Sequence, residues 1–131
     1  MDLLLDRSVL LGVRTPERCP ELAGVLRRQG HRRLFVPATV LGELLAERPD
    51  ETLWAEQLEL RFPGRVLPVD AAVARAWGAL AARAAADPLA GLTAATALVH
   101  GLTVLTAEPG RYAGTGTSVL DASPAPRQSS R

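Results

Sequence analysis

Three consecutive leucines, residues 3–5, end abruptly at Asp6 and restrict the fold more than any other segment. A short, wholly apolar run is typical of a strand that is buried on both faces, as in a parallel sheet covered by helices. In such sheets, ligands bind at the carboxyl ends of the strands. Asp6 is therefore predicted to face a functional crevice, with the alternative that its carboxylate caps the following helix.

The rest of the chain alternates between short apolar strands and helices. Further strands are predicted at residues 34–38, 65–69, 102–106 and 117–120, and helices at 16–29, 39–47, 51–62, 71–86 and 89–99. Strands that alternate with helices predict an α/β fold, in which a mostly parallel sheet carries helices on both faces. From residue 122 onward the sequence has little apolar content, so residues 122–131 are predicted to be a disordered tail after one domain at 1–121.

Several polar residues have a structural explanation at predicted helix ends. Thr39, Asp70 and Asp87 each precede an apolar helix, where a side-chain oxygen can accept a hydrogen bond from a free backbone N–H. His100 precedes Gly101 at the end of the last long helix, where its charge suits the helix dipole. These residues are predicted to be caps and terminal residues, and His100 is not expected to be a general base.

Charge and cysteine content restrict the function classes. The net charge is +1, which gives no overall basic field for nucleic acid. A local cluster of arginines at residues 27–33 can contact phosphates, but a solvated helix end explains it as well. Cys19 is the one cysteine, so no internal disulfide is possible, and no neighbouring histidine supports it as a nucleophile. With no apolar run near the roughly 18 residues that cross a bilayer, a cytoplasmic protein without membrane contact is expected.

The remaining chemistry lies in carboxylates near strand ends. The sequence contains no glycine-rich phosphate loop, no cysteine and histidine cluster for zinc, and no serine in a nucleophile elbow. Asp6 follows the first strand, Glu108 follows the strand at 102–106, and Glu43 shares a helix face with apolar residues. Carboxylates alone suit hard cations such as Mg²⁺ or Mn²⁺, which activate water for in-line attack on phosphate.

Four segments resemble the PIN-domain family, and most closely the VapC-type toxins of bacterial toxin–antitoxin pairs. They are Leu-Leu-Leu-Asp-Arg-Ser at 3–8, Val-Pro-Ala-Thr-Val-Leu-Gly-Glu-Leu at 36–44, Arg-Val-Leu-Pro-Val-Asp at 65–70, and Ala-Ala-Thr-Ala-Leu-Val-His-Gly-Leu-Thr at 94–103. The similarity covers residues 2 to about 121 in the family's order. It implies a three-layer α/β/α sandwich with a central, mostly parallel sheet, and metal-dependent endonuclease activity on RNA.

The resemblance assigns two acids and their companions directly. Asp6 matches the family's first catalytic aspartate, and Ser8 matches the hydroxyl that usually accompanies it. Glu43 matches the second acid in a Gly-Glu-Leu context. The segment Thr-Ala-Glu-Pro-Gly-Arg-Tyr at 106–112 resembles the family's fourth motif, and Thr106, which opens it, is expected to support the site.

The other two acids depart from the family pattern. The third acid falls on Ala90, and Asp87, which stands about one helical turn earlier, either compensates for it or only caps the helix. For the fourth acid, one of two usual positions holds Arg111, which leaves Glu108 as the candidate. Arg111 can also take over part of the metal's charge-neutralising role.

The predicted site therefore contains Asp6, Glu43 and Glu108, with Asp87 as a further metal ligand, around Mg²⁺ or Mn²⁺. The resemblance implies a ribonuclease toxin with an antitoxin protein as partner, RNA as substrate and a homodimer as the assembly. Two alternatives stay open: a catalytically degenerate PIN domain that keeps its antitoxin-binding surface, and a module that binds RNA or protein without chemistry.

Overall fold

The computed structural model describes residues 2–15, 17, 20–83 and 87–123. Its strands are β1 (Leu3–Leu5), β2 (Leu34–Pro37), β3 (Val66–Leu67), β4 (Thr103–Thr106) and β5 (Val119–Asp121). Its helices are α1 (Arg7–Arg14), α2 (Pro20–Arg28), α3 (Ala38–Glu47), α4 (Thr52–Arg61), α5 (Ala71–Arg83) and α6 (Pro88–His100), and a 3₁₀ turn spans Pro109–Tyr112. None of the helices in this part of the chain has both the length and the apolar character that crossing a bilayer requires.

The five strands form one parallel sheet in the order β3-β2-β1-β4-β5. The leucine strand β1 lies at its centre, with Leu3 opposite Leu34 on one side and opposite Thr103 on the other. The chain runs outward from β1 in one direction to β2 and β3, and in the other direction to β4 and β5. The carboxyl ends of β1 and its two neighbours meet at this change of direction, which is where parallel sheets form ligand crevices.

Successive leucines of β1 face opposite sides of the sheet, because side chains alternate along a strand. Leu3 and Leu5 belong to a core that helices α1 to α4 cover, and Leu4 belongs to a second core beneath α5 and α6. Helices α5 and α6 pack closely, since a Cβ atom built on Gly91 would lie 3.2 Å from the ring of Trp77. The α/β/α sandwich predicted from the sequence is confirmed.

Local structure differs from the sequence predictions at a few points. Residues 7–14, for which the sequence analysis assigned no helix, form α1 directly after Asp6. Thr39 was predicted to cap α3, but that helix begins one residue earlier at Ala38, with Pro37 in the capping position. The Thr39 prediction is wrong because the backbone turns into the helix at Pro37, whose φ of −72° and ψ of 135° suit a position outside the helix.

Other predicted helix ends are confirmed. Asp70 Oδ1 accepts a hydrogen bond from the Val73 N–H at 2.9 Å, at the start of α5. Asp87 Oδ1 accepts one from the Leu89 N–H at 3.2 Å, at the start of α6. Helix α6 ends at His100, and Gly101 adopts the left-handed conformation with a φ of 65°.

The boundary between domain and tail stays a prediction. Ala122 is buried in the core beneath α1 to α4, and its N–H donates to the carbonyl of Thr106 at 2.7 Å. The rest of the predicted tail, residues 124–131, lies outside the described residues, as does Cys19.

Candidate functional site

Asp6 is both a helix cap and a buried acid at the end of the central strand. Its side chain is only 1% exposed, and its Oδ1 atom accepts a hydrogen bond from the Val9 N–H at 3.2 Å. The Asp6 N–H continues the ladder between β1 and β4 by donating to the carbonyl of Leu105 at 3.3 Å. The two interpretations left open by the sequence are therefore compatible, since one oxygen serves the helix and the other does not.

Two hydroxyl groups hold the Asp6 carboxylate. Ser8 Oγ donates to Oδ1 at 2.6 Å, and the Tyr112 hydroxyl donates to Oδ2 at 2.9 Å. Burial, and then the negative charge of Asp6, raise the pKa of Tyr112, so the phenol stays protonated as a donor. An ionised carboxylate offers about four lone-pair directions. The two hydroxyl groups and the Val9 N–H occupy three of them, so one lone pair of Oδ2 is left for another ligand.

Ser8 and Thr106 tie the ends of β1 and β4 together, which supports their predicted place beside the site. Ser8 Oγ accepts a hydrogen bond from the Ala107 N–H at 2.9 Å and lies 3.3 Å from Thr106 Oγ1. Thr106 Oγ1 accepts one from the Glu108 N–H at 2.9 Å. Fixing both strand ends fixes the position of Asp6.

Tyr112 is a site residue that the sequence analysis did not assign a role. It is buried, and it comes from the 3₁₀ turn after β4, more than 100 positions from Asp6 along the chain. Its place in the motif that contains Glu108 was visible in the sequence. An aromatic residue in that position is typical of the hydrophobic core, and only the tertiary structure shows that its hydroxyl donates to Asp6.

Glu43 is partly buried on α3 among charged groups of both signs. Burial raises its pKa, and the guanidinium groups of Arg111 and Arg7 oppose that rise. The carboxylates of Asp87 and Asp6 raise its pKa further. Four charged residues thus act on Glu43, and two of them with opposite effects, Arg111 and Asp87, line one groove with it.

A polar atom without a partner lies one helical turn before Glu43. Thr39 Oγ1 is buried and has no hydrogen-bond partner within the described part of the chain. Residues four apart on a helix share a face, so Thr39 and Glu43 present oxygen atoms toward the same side of α3. A buried, unpaired oxygen of this kind is suited to a water molecule or an ion.

Arg111 binds the two remaining predicted acids. Its Nη2 atom donates to Asp87 Oδ2 at 2.6 Å, and its Nη1 atom lies 3.8 Å from Glu108 Oε1. The hydrogen bond from Arg111 is the largest cause that lowers the pKa of Asp87. At the start of α1, Arg7 forms an ion pair with Glu47.

The third family acid has no replacement at its own position. Ala90 is 1% exposed and packs in the apolar core beneath α5 and α6. An open groove of about 290 Å³ lies beside it, and its lining includes Arg7, Glu43, Glu47, Asp87, Leu89 and Arg111. The groove is therefore lined mainly by charged side chains from α1, α3, the residue that caps α6, and the turn after β4.

The donor set fits a cation held by two carboxylates. Among the described residues, no three acidic, histidine or cysteine side chains come together as a group that would hold a metal ion. Asp6 and Glu43 form no ion pair in the described part of the chain, whereas Asp87 and Glu108 are bound to Arg111. Mg²⁺ keeps several waters and binds to one or two carboxylates, so the chemistry of the Asp6 and Glu43 side chains suits that ion.

Comparison with known proteins gives a family and a fold. The family model described as the PIN domain matches residues 3–110. No curated protein matches the sequence.

Several solved structures are similar to this chain over nearly its whole length. FitAcB from Neisseria gonorrhoeae is 24% identical, with a TM-score of 0.79, 92% of this chain covered and 97% of that one. VapBC2 from Rickettsia felis, bound to a DNA fragment from its promoter, is 13% identical, with a TM-score of 0.74 and coverage of 92% and 98%. DNA-bound VapBC from Salmonella typhimurium is 19% identical, with a TM-score of 0.71 and coverage of 93% and 98%. At these identities the likeness concerns the fold.

Proposed function

Because the chain belongs to the PIN domain family, we propose that it is the ribonuclease toxin of a toxin–antitoxin pair, which hydrolyses RNA phosphodiesters with a divalent cation. The observation that carries this proposal is the Asp6 carboxylate, which is buried at the carboxyl end of the central strand and held there by the Ser8 and Tyr112 hydroxyls. A further similar solved structure, described as a toxin–antitoxin complex from Klebsiella pneumoniae, supports the assignment to a paired toxin.

Asp6 and Glu43 are the residues that would hold the cation, which we propose to be Mg²⁺ or Mn²⁺. When bound there, the ion would supply a nucleophilic water and stabilise the oxygens of an in-line displacement. Ser8 and Tyr112 contribute by fixing the orientation of the Asp6 carboxylate. Glu43, with its raised pKa, accepts a proton at its carboxylate more readily than an exposed glutamate does.

Asp87 and Glu108 have a more distant role in this proposal. Both carboxylates are about half exposed and both interact with Arg111. They add negative charge to the rim of the groove, which attracts a cation, and each can reach an ion only after it releases Arg111. Thr106 supports the site by holding the backbone of Glu108.

An antitoxin protein and a second copy of the chain are the proposed partners. Leu53 and Leu60 on α4 are 66% and 80% exposed, and Val13 at the end of α1 is 42% exposed. Exposed apolar side chains of this size are typical of protein-binding surfaces. The proposed substrate, RNA, and the proposed antitoxin both suit a cytoplasmic location.

The competing proposal is a PIN domain that has lost catalysis but binds an antitoxin or RNA. Two observations favour it, namely the alanine at position 90 and the arginine at position 111. Together they remove one acid from the site and add one positive charge, and both changes weaken the attraction for a cation.

Cleavage assays with purified protein separate the two proposals. We expect weak cleavage of single-stranded RNA that requires Mn²⁺ or Mg²⁺, disappears with EDTA, and is lost in Asp6→Asn. Calorimetric titration with Mn²⁺ should show binding to the wild-type chain. No metal-dependent cleavage together with no heat of Mn²⁺ binding would rule out the nuclease. A large gain in cleavage on Ala90→Asp would identify a weakened site and favour the degenerate form.

A further inference from the structure

Arg111 contacts two of the predicted metal ligands at once. Its guanidinium donates to Asp87 at 2.6 Å and lies 3.8 Å from Glu108, while it lines the groove beside Glu43. The Arg111 side chain is 21% exposed, so one side of the guanidinium is held by the rim and part of it faces the groove. A guanidinium carries five N–H donors in a planar fork, and the contact with Asp87 leaves donors for another ligand.

The charges of the groove explain what such a ligand would be. Three carboxylates, on Glu43, Glu47 and Asp87, line the groove together with two guanidinium groups, on Arg7 and Arg111. An acidic groove binds cations, but it repels a phosphodiester unless a positive group receives the phosphate. Arg7 is paired with Glu47, and Arg111 is held by both Asp87 and Glu108.

We propose that Arg111 is a phosphate-binding residue of the groove, which Asp87 and Glu108 hold in position. Arginine suits this role because its planar fork pairs with two phosphate oxygens at once. The proposal rests on the proposed function for the identity of the ligand, a phosphodiester of RNA. It predicts opposite effects on two ligands, since Arg111 attracts the phosphate and repels a metal ion.

Arg111→Gln tests the proposal through binding rather than catalysis. Binding of a fluorescein-labelled single-stranded RNA is measured by anisotropy in EDTA, which prevents metal-dependent cleavage. Loss of a charged hydrogen bond to phosphate predicts roughly tenfold weaker binding and a salt dependence reduced by about one counterion. Calorimetric titration with Mn²⁺ should show tighter metal binding in the same variant, because a repelling charge has been removed.

Two variants separate a direct phosphate contact from a change in net charge. The double variant Asp87→Asn with Arg111→Gln keeps the wild-type net charge, and asparagine still caps α6. We expect its RNA binding to remain weak and its Mn²⁺ affinity to return toward that of the wild type. Arg14→Gln is the matched control, since Arg14 pairs with Glu51 at 2.9 Å at the end of α1 that lies away from the groove. It should change RNA binding less than twofold.

The outcomes distinguish this inference from the proposed function. If the double variant regains wild-type RNA affinity, or if Arg111→Gln behaves like Arg14→Gln, Arg111 does not bind phosphate and the inference is overturned. If the wild type cleaves no RNA but Arg111→Gln still weakens RNA binding and tightens Mn²⁺ binding, the inference stands and the ribonuclease proposal fails.

Discussion

Asp6 and Glu108 come after two strands that pair directly in the sheet, yet their surroundings are opposite. Asp6 is 1% exposed and receives hydrogen bonds from two hydroxyl groups and a backbone N–H. The Glu108 side chain is 49% exposed, and its partner is a guanidinium 3.8 Å away. Their sequence positions alone, an acid shortly after a buried strand, suggest equal roles.

The difference arises from the element that comes after each strand. A full α-helix begins immediately after Asp6, so the aspartate is drawn into the capping position and inward. A 3₁₀ turn comes after Glu108, and that turn directs Tyr112 inward instead. A buried carboxylate held by neutral donors keeps its charge available for a cation, whereas a carboxylate paired with arginine has that charge compensated already. Strand-end position therefore does not by itself make an acid a metal ligand.

Substituting each acid by its amide tests this contrast directly. Asp6→Asn preserves size and the helix cap but removes the charge, so we expect Mn²⁺-dependent RNA cleavage to fall by more than about a hundredfold. Glu108→Gln removes a charge from the exposed rim and should cost no more than about fivefold. Initial cleavage rates at saturating Mn²⁺ measure both. Equal losses in the two variants would contradict the distinction between the two acids.

Tyr112→Phe removes one neutral donor from Asp6 and leaves Glu108 untouched. Loss of a hydrogen-bond donor to a metal-binding carboxylate predicts about tenfold lower Mn²⁺ affinity or cleavage rate. Loss of a buried hydrogen bond predicts a decrease of about 1 kcal/mol in the free energy of unfolding. Calorimetry and urea unfolding measure the two effects separately. Unchanged Mn²⁺ affinity in a destabilised variant would show that Tyr112 acts on stability alone.

Ser8→Ala tests how far the buried acid depends on the link between β1 and β4. The variant leaves both Asp6 Oδ1 and the Ala107 N–H without the Ser8 hydroxyl, which predicts a loss of about 1–3 kcal/mol in the free energy of unfolding. Ser123→Ala is the control, because the Ser123 hydroxyl donates to Asp121 at an exposed position, and it should cost less than about 0.5 kcal/mol. Chemical denaturation measures the free energy of unfolding of both variants. Similar losses in Ser8→Ala and Ser123→Ala would contradict a stabilising link between β1 and β4 through Ser8.

A more modest effect is expected from the charge of Glu43. Its pKa is raised in the folded protein, so its ionised form is penalised by folding and the penalty disappears as the pH falls through that raised pKa. Glu43→Gln should therefore raise the Tm in EDTA at pH 7 by about 1–2 °C, with no difference from the wild type below about pH 4. Glu47→Gln, on the same face at the exposed end of the helix, removes the ion pair with Arg7 and should not raise the Tm. A lower Tm for Glu43→Gln at pH 7 would show that Arg7 and Arg111 outweigh burial.

The class of fold and the position of the central acid were predictable from the sequence alone. Apolar runs that alternate with helical patterns permit few arrangements, because each strand must be buried and each crossover must cover a face of the sheet. The leucine run thus became the central strand, and Asp6 had to lie at its carboxyl end. The helix ends at Asp70, Asp87 and Gly101 were also predictable, since capping depends on neighbours within a few residues.

Which side chain each acid binds depends instead on contacts between distant parts of the chain. The contact between Tyr112 and Asp6 joins residues 106 positions apart, and the contact between Arg111 and Asp87 joins residues 24 positions apart. No local pattern specifies such contacts, because they depend on where the turn after β4 and the start of α6 come to lie against β1. The sequence predicted that one ion is bound by four acids, Asp6, Glu43, Glu108 and Asp87. In the folded chain, Arg111 holds two of them at the rim, where their half-exposed carboxylates avoid the desolvation that a buried site requires.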